Sequence, residues 1–116
     1  TRVDAFVLAA DLDLAMQVLD AVTELDPENA EAWHQRGIVH LMQNNTEQAL
    51  ADLKRAVAID PNHYKALRDL GALLQQTGDQ RGALDAYRKA LVVNPFLEQA
   101  RRAKEQLSHD VEGRDI

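Results

Sequence analysis

A proline recurs every 34 residues, at Pro27, Pro61 and Pro95, and this period constrains the fold more than any other feature of the chain. The same step links Gly37 to Gly71, Ala15 to Ala49 and Ala83, Leu19 to Leu53 and Tyr87, and Val22 to Ala56 and Ala90. A fixed period of this length means that one supersecondary unit is copied in tandem. Such a unit cannot bury its apolar face alone and must stack on its neighbours.

Each copy contains two amphipathic stretches at helical spacing, such as 30–43 and 46–59, separated by Asn44-Asn45 in one copy and Gly78-Asp79 in the next. Asp11, Asn45 and Asp79 share a slot, and each offers a short side-chain oxygen that can cap a new helix. The second helix is therefore expected to start there in all three copies. Gly37 and Gly71 have no Cβ and are expected to face the small Ala49 and Ala83. Trp33, Leu53 and Tyr87 fill the wider gaps, and the prolines end one unit and reset the chain for the next.

The register frays at both ends. The first copy lacks most of its first helix and has Val3 in the glycine slot; after the third, 98–107 begins another first helix with Arg101 in the Trp slot and Glu105 in the glycine slot. Its apolar positions, Leu97, Ala100, Ala103 and Leu107, suit a solvating cap. The expected organisation is one repeat domain over 1–109, made of a partial repeat (1–29), two full repeats (30–63 and 64–97) and a capping helix (98–109). A flexible tail is expected over 110–116.

Composition agrees. Of the 116 residues, 46% are hydrophobic but only 4% aromatic, so the core is built from Ala, Leu and Val, which favours closely packed helices over a β-sandwich. The formal charge of -6 repels a phosphate backbone and an anionic membrane surface, so nucleic acid is not an expected partner. The absence of cysteine excludes disulfides, thiolate metal sites and a Cys nucleophile, and leaves the compartment open. No apolar run is long enough for a transmembrane helix, and Thr1 is not followed by a secretory leader pattern.

The period of 34 with Trp33, Gly37, Ala49, Ala56 and Pro61 in order resembles the tetratricopeptide-repeat (TPR) signature. The resemblance implies an all-α fold of antiparallel helix pairs wound into a right-handed superhelix, with protein or peptide partners. Three further features are similar to a group of bacterial TPR proteins: Ala30-Glu31-Ala32-Trp33, the turn Asn94 to Glu98, and the ending Gly113-Arg114-Asp115-Ile116. Members of that group look exported, with a longer N-terminal helical region. An exported, periplasmic location is thereby implied, with the cytoplasm as the other possibility.

In this family the first helix of each pair lines the concave surface. On 30–42 the packing stripe is Trp33, Gly37 and His40, and a second stripe at helical spacing is Glu31, His34, Ile38 and Leu41. Its copies are Lys65, Arg68, Ala72 and Gln75, then Gln99, Arg102 and Gln106, with Asp4 and Val7 remaining from the partial unit. The expected groove has an apolar floor of Val7, Ile38 and Leu41 and a cationic side of Lys65, Arg68 and Arg102. A peptide with an apolar anchor and a carboxylate suits it. Ile38 and Leu41 packing against the next first helix, and the cations as ordinary solvated charges, are the bland alternatives. The clamp by which some family members hold a chaperone's C-terminal carboxylate is disfavoured, because its Asn slots hold Asp4, Ile38 and Ala72.

Arg36 occupies a slot that usually holds Leu, and His40 one that often holds Tyr. Arg36 is expected to lay its stem along Trp33 and to bring its head to an acid such as Asp20 or Glu24. Catalysis is not expected. No zinc-binding His pair occurs, Glu31 with His34 is an isolated i,i+3 pair, and Ser108 is the only serine. No cofactor or metal is expected. The alternative to a peptide binder is a structural module, a homo-oligomer associating through its open first repeat at Phe6, Val7 and Leu8.

Overall fold

The computed structural model describes the backbone of residues 2–113 and the side-chain surroundings from Leu8 onward. Asp4, Phe6 and Val7 therefore fall outside the described side chains, and most of the Gly113–Ile116 ending lies outside the described residues. Six helices follow one another: α1 (Arg2–Leu25), α2 (Ala30–Met42), α3 (Thr46–Ile59), α4 (Tyr64–Thr77), α5 (Gln80–Val93) and α6 (Glu98–Val111). The fold is all-α, with no strand among the described residues. The chain divides into two compact units, Thr1–Ile59 and Asp60–Ile116. In the first, α2 packs on α1 and α3; in the second, α5 packs on α4 and α6.

Breaks fall where the register places them, at the prolines and at the turns before Thr46 and Gln80, with one exception. The break expected at Asp11 is absent, and α1 runs through it without interruption. The two turns that do form explain why. Each passes through a left-handed residue just before the cap slot, Asn44 at φ 62° and Gly78 at φ 97°. Gly has no Cβ to clash in that conformation and Asn tolerates it. The first copy has Ala10 there, preceded by Ala9, and alanine is poor in the left-handed region but the best helix former. An N-cap at Asp11 is of no use when the preceding turn cannot be made.

Asp79 does cap α5, accepting from Gly82 N at 3.0 Å. First helices have caps of their own. Asn29 Oδ1 accepts from Ala32 N, and His63 Nδ1 accepts from Ala66 N, each at 3.1 Å. The third member of that slot, Leu97, makes no side-chain cap. The tail expected from Asp110 starts later than the sequence suggests, because α6 continues to Val111, which is buried beside Ala100 and Leu107 on one face.

The glycine of each pair meets a large side chain, not the small alanine expected opposite it. A Cβ on Gly37 would lie 3.2 Å from Leu53 Cγ, and one on Gly71 would lie 3.1 Å from three atoms of the Tyr87 ring. Tyr87 is itself buried, which pushes its phenol pKa up. Ala49 and Ala83 are also fully enclosed, but the glycine is needed for the bulk of Leu53 and Tyr87.

Candidate peptide-binding surface

On α2 the expected groove stripe is divided. Glu31 is exposed and Oε1 accepts from Gln35 Nε2 at 2.7 Å, while Ile38 and Leu41 are half-buried. His34 departs from expectation: it is 4% exposed, with Nδ1 3.5 Å from Glu31 Oε1. It is a packed residue and not an open surface position.

On α4 the stripe is more open. Lys65, Ala72 and Gln75 are exposed and Arg68 is half-buried, whereas Leu67, Leu70, Gly71 and Leu74 on the other faces are buried. On α6, Gln99, Arg102 and Gln106 are exposed. The cations are not uniformly available. Arg68 Nε donates to Asp69 Oδ1 at 3.1 Å, and Arg102 Nε donates to Glu98 Oε1 at 3.3 Å. Both positive charges are balanced locally, so the cationic side is weaker than the sequence implies. Lys65 has no ion pair among the described residues. Glu31, His34, Ile38 and Leu41 lie in the first compact unit, and Lys65, Arg68, Ala72, Gln75 and Arg102 in the second.

The most organised polar group in the first unit lies behind that stripe. Arg36 Nε and Nη2 donate to Asp52 Oδ2 and Oδ1 at 2.8 and 3.0 Å, and Nη1 donates to Asp20 Oδ1 at 3.2 Å and Thr23 Oγ1 at 3.3 Å. Its guanidinium stacks 4.8 Å from the Trp33 ring centroid, with Arg55 at 5.7 Å. Asp20 is the acid expected on the preceding helix; Glu24 takes no part among these bonds. The main partner, buried Asp52 on α3, escaped the sequence reading. Its hydrogen bonds raise the Arg36 pKa, against the opposing pull of burial. His40 Nε2 lies 3.6 Å from Asp52 Oδ2, too long for a good hydrogen bond.

This cluster was legible in the register. Steps of 34 from Arg36, His40 and Asp52 reach Leu70, Leu74 and Ala86, all apolar and buried in the second unit. Three polar residues in slots that the neighbouring copy fills with hydrocarbon mark a built network. These side chains satisfy one another and have the geometry of a core ion pair, so they are not counted as a ligand surface.

Two family models, both described as tetratricopeptide repeat, match residues 1–64 and 43–108. A TPR repeat-containing protein of Rhizobium etli is 29% identical over 94 residues, covering 81% of this chain and 45% of that protein. The human PEX5-related protein is 34% identical over 85 residues, covering 73% of this chain and 14% of that protein. Among solved structures, the MamA protein superposes with a TM-score of 0.79 at 25% identity, over 90% of this chain and 57% of that one. The chain thus spans less than half the length of these two curated relatives.

Proposed function

Because the chain belongs to the tetratricopeptide-repeat family, we propose that it is a protein-interaction module that holds a peptide or protein segment against the exposed faces of its first helices. The observation that supports this most directly is on α4. Its Lys65, Arg68, Ala72, Gln75 stripe is left open while every other face of the helix is used for packing. A helix that needed only to be solvated would have no reason to leave a small residue, Ala72, between a cation and an amide. On α2, Ile38 and Leu41 offer apolar area that suits an anchor side chain, with Glu31 at the rim. Arg102 on α6 extends the polar surface of the second unit. We read the chain as non-catalytic: Ser108 stands near the end of α6, and His34 is packed.

A displayed random-peptide library selected on the intact chain tests the reading, followed by titration of the enriched peptide. Enriched sequences are expected to carry an apolar anchor and a carboxylate. Ile38→Ala and Leu41→Ala are expected to weaken binding at every salt concentration, since apolar burial is not screened. Lys65→Glu is expected to weaken it mainly at low salt, with Arg68→Glu smaller because Asp69 already balances that charge; exposed pairs contribute about 0–1 kcal/mol each. Gln75→Ala should matter little, because an exposed amide exchanges one hydrogen bond for another with water. Equal binding by all these variants would overturn the assignment of the surface.

A further inference from the structure

The second-helix half of α1 carries a face built for a partner that its own chain does not supply. In the later copies the four slots that grip the paired first helix are closed: Ala49, Asp52, Leu53 and Ala56 in α3, and Ala83, Ala86, Tyr87 and Ala90 in α5, are all buried. The same slots in α1 are Ala15, Val18, Leu19 and Val22. All four are apolar, yet Val18 is 55% exposed and the other three are only partly covered.

The residues that should cover them belong to the same helix. By register Val3 stands in the slot of Gly37, which meets Leu53, so the position that Val3 is built to meet is Leu19. Phe6 stands in the slot of His40, whose ring lies against Asp52, so its counterpart is Val18. Both interactions require the chain to reverse between 9 and 12. α1 does not reverse, because Ala10 occupies the left-handed position. In one continuous helix residues 3 and 19 are about 24 Å apart along the axis at 1.5 Å per residue.

We infer that a second copy of this chain covers the face: two α1 helices pair antiparallel about a two-fold axis near Asp11, each placing its 2–9 segment on the other's Ala15, Val18, Leu19 and Val22. This is an exchange of identical elements between copies, which closes as an isologous dimer and needs no surface beyond the one the repeat already encodes. The first-helix sequence and its matching second-helix sequence are both present, and antiparallel pairing of two copies restores the 3-to-19 register that a single copy cannot make. Asp11 faces its own symmetry mate across the axis, so its charge opposes pairing. The inference does not depend on the peptide-binding reading, which uses α2, α4 and α6.

The test uses the 116-residue chain in sedimentation equilibrium at about 10–200 μM, a range that separates weak from strong self-association. A dimer of twice the 13.0 kDa chain mass is expected; a monomer throughout overturns the inference and leaves the face to a partner other than a second copy. Val18→Glu is expected to give monomer with helical circular dichroism intact. Ala10→Gly permits the turn and is expected to weaken dimerisation about tenfold or more, as the 2–9 segment folds back on its own helix. Asp11→Asn should tighten the dimer. Since the natural chain has no cysteine, the double variant Val3→Cys with Leu19→Cys gives a direct readout. Oxidation should produce a covalent dimer on a denaturing gel, absent from either single variant. A disulfide closed within one chain, or no cross-link between copies, would show that the exchange does not occur.

Discussion

Asp52 is 4% exposed in a slot where the next copy has Ala86, and it is held there by a two-pronged bond from Arg36. Removing one partner of a buried pair leaves an uncompensated charge, whereas replacing the whole group with hydrocarbon need not destabilise. Asp52→Ala is therefore expected to destabilise by on the order of 2–4 kcal/mol, since Arg36 keeps only its exposed bond to Asp20 and the Thr23 hydroxyl. The triple change Arg36→Leu, His40→Leu, Asp52→Ala installs the residues of the second unit, and its urea midpoint is expected at or above that of the natural chain. A triple variant weaker than Asp52→Ala alone would mean that the polar group is worth more than hydrocarbon in this setting. At Gly71 the limit is space. A larger side chain must displace a buried Tyr87 ring already at 3.1 Å from the position of a Cβ. Gly71→Leu is expected to cost about 1–3 kcal/mol or more by overpacking, beyond the roughly 1 kcal/mol that leaving glycine returns in helix propensity. An unchanged melting temperature would show that the ring can slide aside. At this scale the sequence marked the glycines and the misplaced Arg36, but not their partners, because slot matching says which positions are unusual and not which side chain reaches them. Asp52 became visible only when its own slot was compared with Ala86.

Helix ends were legible wherever two signals coincided. Asp79 caps α5 because Gly78 first makes the left-handed turn that releases α4, and its backbone N–H donates to Gln75 O at 3.2 Å. Asp11 has the cap without the turn, and a single helix results. Reading the acid alone predicted three breaks where two exist; reading the pair Ala10-Asp11 against Asn44-Asn45 and Gly78-Asp79 gives the right number. The end of α6 was missed for a different reason. Val111 continues the buried row of Ala100 and Leu107, but a short polar ending hides one apolar residue in a sequence window. Glycine's role in the turn can be isolated, because a Cβ at Gly78 would meet nothing within 4 Å. Gly78→Ala should then cost only the left-handed backbone penalty, about 1–2 kcal/mol, with no packing loss. Gly78→Asn should recover most of it, since Asn44 already serves in the equivalent turn. The comparison of their denaturation midpoints checks this, and equal losses from both would place the cost in something other than backbone conformation.

Over the whole chain, the period of 34 was enough to fix the fold class and the pairing of helices, because every unit repeats the same apolar slots and no aromatic-rich alternative core is available. The candidate surface was less legible. The stripe on α4 is open as expected, but His34 on α2 is packed, and the charges of Arg68 and Arg102 are balanced by neighbours that slot matching does not weigh. That balance has a consequence for the molecule's long-range field. With 19 acidic residues against 13 basic ones and two of the three stripe cations paired locally, Lys65 alone cannot create an extended positive patch. Polyanion binding grows with the number of phosphates or sulfates neutralised together, so a lone lysine on a chain of charge -6 gives essentially none at physiological salt. The chain is therefore expected to pass through a heparin column and to leave a duplex DNA probe unshifted at about 0.1 M salt, where the Debye length is about 10 Å. Lowering the salt should not bring binding on, because longer-range forces then add repulsion from the net negative charge. Retention that rises as salt falls, and that disappears in Lys65→Glu, would mean that the stripe cations act together despite their neighbouring carboxylates, and would move the second unit's surface from peptide carboxylates toward polyanions.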